Sequence, residues 1–161
     1  MKNQLYKAKD IIGNQIISRS DGRQVGSVSD IVYDADTNRV ESLVLSEGGW
    51  FSQAKVLKLS NVSDIGEDSV MIETSDLVMT EDQSPHHVHA LMHENDSIRR
   101  KEVVTETGQE LGFVTDIYFD SEGTVQKLEI TPNVWDEITN NKQTINAQRL
   151  VTVGEDKAII K

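Results

Sequence analysis

The chain repeats itself, and the repeat limits its fold more than any other feature. "VGSVSDIVYD" at 25–34 returns as "LGFVTDIYFD" at 111–120, with the glycine, a valine, the first aspartate, the isoleucine and the last aspartate in step. An offset of 86 pairs Leu5 with Leu91, Gly22 with Gly108, Gly26 with Gly112, Val28 with Val114, Asp30 with Asp116 and Asp34 with Asp120. The offset becomes 85 where Val40, Leu43, Leu45 and Trp50 meet Val125, Leu128, Ile130 and Trp135. It becomes 88 where "IGEDSVMI" (65–72) overlies "VGEDKAII" (153–160). Self-similarity at so long a period means two like structural units. The changes of offset fall where loops belong. They divide the chain into a first unit at 1–76, a linker at 77–90 and a second unit at 91–161.

Each unit reads as β structure. "SDGRQ" (20–24) and "ETGQE" (106–110) place glycine where a tight hairpin needs positive φ. "DADTNR" (34–39) and "DSEGT" (120–124) form a second polar turn, leading into "VESLVLSE" and "VQKLEI". Five or six short strands per unit have the spacing of a small barrel or sandwich. Helix is scarce: a turn at "YKAKDI" (6–11) and a short piece in the linker. Within the repeated phrase, strict alternation from Val28 would turn Asp30 inward and Ile31 outward. In both copies the next apolar residue instead comes three later, at Ile31 and Ile117. Such a change of face inside a strand marks a β-bulge. Gly26 and Gly112 then mark a bend or a close backbone approach, and Asp30 and Asp116 are expected to accept N–H groups that the bulge leaves unpaired.

These residues resemble a known family. The pattern G-x-x-x-G-x-V-x-D-x-x-x-D after "KDIIG", closed by "VSDIGEDSV" (62–70), is similar to the PRC-barrel, a domain shared by the H subunit of photosynthetic reaction centres and a ribosome-maturation factor. The resemblance covers nearly the whole chain as two tandem copies. The second copy departs at its lead, "HENDSIRRK" (93–101), where the Ile-Gly pair is missing and Arg99 stands at the place of Gly13. The resemblance implies an all-β chain of two small tandem barrels, each serving as an interaction module without catalytic residues.

Charge narrows the partners. With 16 basic and 27 acidic residues, the net charge of −11 opposes binding to nucleic-acid phosphates and to anionic membrane surfaces. A chain without cysteine has no thiolate nucleophile, disulfide or cysteine–zinc site. The N-terminus lacks the apolar run of a secretory signal, and no stretch approaches the length that spans a bilayer. The expected location is the bacterial cytoplasm, with no cofactor.

Candidate chemistry is confined to a few places. All four histidines lie in "SPHHVHALMH" (84–93). On a helix His86, His89 and His93 would fall within about 60° of one another, a face able to take zinc or nickel or to respond to protons near pH 6.5. Asp34, Asp36 and Asn38 alternate as in a calcium loop, but Arg39 and Leu45 occupy the positions where glycine and glutamate are required, so a hairpin turn is the better reading. No nucleophile elbow, P-loop or dinucleotide-binding phrase occurs. The carboxylate pairs Glu67–Asp68 and Glu155–Asp156 sit in turns. Trp50 and Phe51 follow a Gly-Gly turn and Trp135 lies in the matching loop, either to close a barrel end or to anchor a partner. The expectation is a non-enzymatic adaptor or scaffold that binds a protein partner or a second copy of itself, a homodimer included. The alternatives are a metal- or pH-responsive sensor worked by the histidines, and a ribosome-associated factor that meets a basic ribosomal protein.

Overall fold

The computed structural model describes residues 4–46, 55–80, 98–132 and 142–161, and the backbone of 90–91. The first half contains β1 (Tyr6–Lys7), α1 (Ala8–Ile11), β2 (Gln15–Ser18), β3 (Gln24–Asp34), β4 (Arg39–Ser46), β5 (Lys55–Lys58), β6 (Val62–Ile65), β7 (Ser69–Ile72) and β8 (Met79–Thr80). The second contains β9 (Ala90–Leu91), β10 (Glu102–Thr105), β11 (Glu110–Phe119), β12 (Val125–Thr131), β13 (Gln143–Asn146), β14 (Leu150–Val153) and β15 (Lys157–Ile160).

The strands form two sheets of matching order. One runs β6-β7-β2-β3-β4-β5-β8, the other β13-β12-β11-β10-β15-β14. Among the described residues only β2–β7 and β10–β15 pair in parallel. Single 3-10 turns, Leu59–Asn61 and Ala147–Arg149, join β5 to β6 and β13 to β14. Those strands lie toward opposite ends of the sheet path and do not pair with each other among the described residues, so each sheet curls into a partly open barrel, which buries one face without a second layer.

The repeated phrase forms the long strands β3 and β11, and both slip register at the same point. The slip falls between Val28 and Asp30 against β4 and between Val114 and Asp116 against β12. Ser29 and Thr115 are the extra residues. The Ser29 hydroxyl donates to the Val44 carbonyl (3.1 Å), and the Thr115 hydroxyl lies 3.3 Å from the Glu129 carbonyl. After the slip Ile31 and Ile117 face inward, fully buried. Asp30 and Asp116 each accept the N–H of the following isoleucine at 2.8 Å. Gly26 and Gly112 have φ of 155° and 139°. A Cβ at Gly112 would lie 2.3 Å from the Thr131 carbonyl oxygen, and one at Gly26 3.2 Å from that of Ser46.

The two barrels are knitted together rather than strung in a row. β1 pairs with β11 of the second sheet, and β9 with β3 of the first. Each half therefore lends its lead strand to the other. The two polar turns also meet: Val40 N–H donates to the Gly123 carbonyl (2.7 Å), and Val125 N–H to that of Asn38 (3.1 Å). These are equivalent positions related by a pseudo-two-fold axis. One apolar cluster runs through both halves, from Ala8 and Ile11 through Leu43 and Leu57 to Ile117, Leu128 and Ile160.

This geometry revises the alignment of the leads. Tyr6 lies opposite Phe119 and Ala90 opposite Tyr33, so Lys7 is the counterpart of Leu91 and the pairing of Leu5 with Leu91 is shifted. Arg100, at φ 75°, occupies the place of Gly13, at φ 94°, and both N–H groups donate to the equivalent carbonyls of Val114 and Val28. Arg99 is thus one residue off. The second lead is longer between its strand and Ile98, an insertion that a fixed offset conceals. Residues 79–80 and 90–91, at the ends of the expected linker, are strands of the first sheet. β9 at Ala90–Leu91 interrupts the single helix expected to place His86, His89 and His93 on one face, and 81–89 and 92–97 lie outside the described residues.

Candidate functional site

The junction holds a cluster of polar groups on the side where β1 lies on β11. Glu129 is 3 % exposed in the middle of β12. Its Oε2 meets Lys7 Nζ at 3.0 Å and accepts from Tyr118 Oη at 3.2 Å. Its Oε1 accepts from Thr115 Oγ1 at 2.8 Å and faces Lys142 Nζ at 3.5 Å. Burial alone would raise the Glu129 carboxyl, but the hydrogen bonds from Lys7 and Thr115 and the two ammonium charges outweigh it and hold the group below its usual value. Burial likewise pulls Lys7 down, and the Glu129 carboxylate more than restores it.

Asp116 sits beside this cluster, fully buried. Besides the Ile117 N–H, both its oxygens accept the Lys9 N–H of α1 at 3.3 Å, so the carboxylate tethers the first half's helix to the second barrel. Burial pushes its pKa up to about 6, against the pull of those two N–H groups and of Lys7 and Lys9.

The pseudo-symmetric place in the other barrel is apolar. Strand pairing puts Val44 where Glu129 stands, Val32 where Tyr118 stands and Leu91 where Lys7 stands. Sequence reasoning passed over this cluster. Its one visible signal was Glu129, an acid in the strand position that the other copy fills with Val44.

A cleft of about 560 Å³ opens between the lead and the β6–β7 turn, lined by Tyr6, Lys7, Asp10, Ile65, Glu67 and Asp68. Its surplus of carboxylates suits a cationic group. Glu67 lies here by virtue of the turn, where its carbonyl accepts from Asn14 Nδ2 (3.4 Å). The matching pair Glu155–Asp156 lies in the β14–β15 turn, held by Lys101 Nζ to the Gly154 and Glu155 carbonyls.

The end strands β6 and β14 differ in character. β6 presents Ser63 and Asp64 to solvent, whereas β14 presents Val151, 46 % exposed, and Thr152. Val151 is the one exposed large hydrophobic among the described residues.

The remaining sequence candidates divide cleanly. Asp34 accepts the Asp36 and Thr37 N–H groups (2.9 and 3.4 Å), and Asp120 those of Glu122 and Thr124 (both 3.0 Å). These are turn contacts, and no group of three metal-ligating side chains occurs among the described residues. Gly22 and Gly108, at φ 69° and 90°, turn the β2–β3 and β10–β11 hairpins. Trp50, Phe51, Trp135, His86, His89 and His93 lie outside the described residues. No helix among the described residues is long and apolar enough to cross a membrane.

No curated protein matches the sequence. The family model for the PRC-barrel domain matches residues 3–79 and again 92–161. Two matches spanning most of the sequence agree with two rolled sheets of the same strand order, and the chain belongs to the PRC-barrel domain family as two tandem copies.

Proposed function

We propose that the protein is a non-enzymatic adaptor or scaffold of the cytoplasm that docks a partner protein on its second barrel. The observation that carries this reading is Val151, a β-branched residue exposed on an end strand whose counterpart strand is guarded by Asp64. Sheet ends are ordinarily protected by charge, and we place the contact surface on the end strand that lacks it. The family supports an interaction module in general terms. A net charge of −11 favours a partner surface of neutral or basic character over a second acidic copy. Trp50, Phe51 and Trp135 belong to the same proposal as candidate aromatic anchors.

Affinity capture on the immobilised chain tests the reading, comparing wild type with Val151→Asp, Trp50→Ala and Trp135→Ala, each checked for an unchanged Tm. Loss of the same partner in at least one folded variant is the expected result. A partner set identical across all four proteins removes both surfaces from consideration.

A further inference from the structure

We infer that the outer edge of β13 is a strand-addition site for an extended segment of the partner protein, a proposal that rests on the adaptor reading and gives it a surface. The two barrels carry equivalent strands there. β5 pairs with β4 through Lys55–Leu45 and Leu57–Leu43, and β13 pairs with β12 through Gln143–Ile130 and Ile145–Leu128. In the first barrel the other edge of β5 is taken. β8 lies antiparallel on it, Thr80 opposite Lys55 and Met79 opposite Val56, and the preceding Leu77 and Val78 pack against the core. In the second barrel no described residue pairs with that edge of β13. Val56, in the covered strand, is buried, whereas its counterpart Thr144 is exposed with Gln143 and Asn146.

Among the described residues the edge is open to pairing. β13 runs through four pairs with β12 without a register slip and carries no proline or charge. The adjacent Lys142 is drawn toward Glu129. Those are the devices that normally protect an edge, and they are missing here. The first barrel also specifies the occupant: a segment with consecutive apolar residues in the pattern of Leu77, Val78 and Met79, whose 3-10 turn at Ser75–Leu77 leads into the two-residue antiparallel ladder of Met79–Thr80. Backbone hydrogen bonds supply the affinity and the apolar side chains the selectivity, as in other strand-addition complexes. The acidity of this chain favours a segment without net negative charge.

The probe is the segment that fills the equivalent edge: a capped synthetic peptide of Ser75–Thr80, titrated into the 15N-labelled full chain. The expected result is saturable amide shifts at Gln143–Asn146, with a Kd of about 1 mM for so short a ladder. The same peptide with Met79→Pro, which loses an N–H and the extended pairing, should give less than about a tenth of the shift. Silence at β13, or equal shifts with the proline peptide, overturns the proposal. A dimer in sedimentation velocity that Thr144→Lys dissolves would assign the edge to a second copy and also overturn it. Silence at β13 with partner capture still sensitive to Val151 sinks this inference alone. Peptide binding with no partner captured leaves the edge and removes the adaptor reading.

Discussion

Replacing Asp116 with asparagine should abolish a pH dependence of stability that is written into the junction. Asp116 is fully buried and its carboxyl stands at about 6, against 3.8 for the solvated group. At 1.36 kcal/mol per unit, that difference corresponds to about 3 kcal/mol between the protonated and ionised states. Because the folded-state value is the higher one, folding takes up a proton. The stabilisation is complete below about pH 4 and is lost as pH rises through about 6. Glu129 has the opposite sign: its depressed pKa gives stability that is lost only on acidification below the ordinary carboxylate range, outside the Asp116 window. Asparagine keeps an oxygen for the Ile117 and Lys9 N–H groups while removing the titrating proton. Urea unfolding of both proteins at about pH 7 and about pH 5 isolates the effect, since contributions from the four histidines cancel in the difference. On going from the higher to the lower pH, wild type should gain about 1 kcal/mol relative to Asp116→Asn. Parallel profiles would refute the idea that burial sets this carboxyl's pKa.

The same geometry makes further predictions. Gly112→Ala should cost about 3 kcal/mol or more, because its Cβ meets the Thr131 carbonyl at 2.3 Å, whereas Gly26→Ala, at 3.2 Å from Ser46, should cost about 1–2 kcal/mol; urea midpoints rank the two. Gly123→Ala places a Cβ 2.3 Å from the Val40 carbonyl at φ 91°, so hydrogen exchange at the Val40 and Val125 amides should speed up at least tenfold as the turn-to-turn contact opens. Glu129→Val alone strands Lys7 and Lys142 and should cost about 1–2 kcal/mol, discounted for their partial exposure. Adding Lys7→Leu copies the Val44 and Leu91 arrangement of the first barrel and should restore the thermal midpoint to within about 3 °C of wild type.

Several features of the fold could be read before any coordinates. Glycine and aspartate at matched positions announced two copies, and the three-residue step to Ile31 and Ile117 announced the bulge, because side-chain alternation in a strand has no other way to change face. The polar turns at 34–39 and 120–124 were legible for the same reason, their aspartates being suited to hold nearby N–H groups. The lead segments were not. Leu5 and Leu91 look alike as letters, yet strand pairing matches Lys7 with Leu91, since an insertion before Ile98 is invisible without a partner strand to count against. Glu129 was hidden in a different way. An acid in a strand reads as an outward residue until β1 of the other half is laid over it with Lys7.

The sequence by itself determined two units, their β character and the irregular strand at the centre of each, because these depend on local periodicity and on what glycine and aspartate do to a backbone. It did not determine which copy each lead strand joins. The two barrels have nearly the same pattern, so either lead is compatible with either sheet by local rules. The choice is made by contacts between residues about a hundred positions apart. Lys9 on Asp116, Lys7 on Glu129 and Val40 on Gly123 exist only once both barrels have formed. Tertiary structure likewise decided that β8 covers β5 while no described residue pairs with the outer edge of β13, a difference that no strand announces in its own letters.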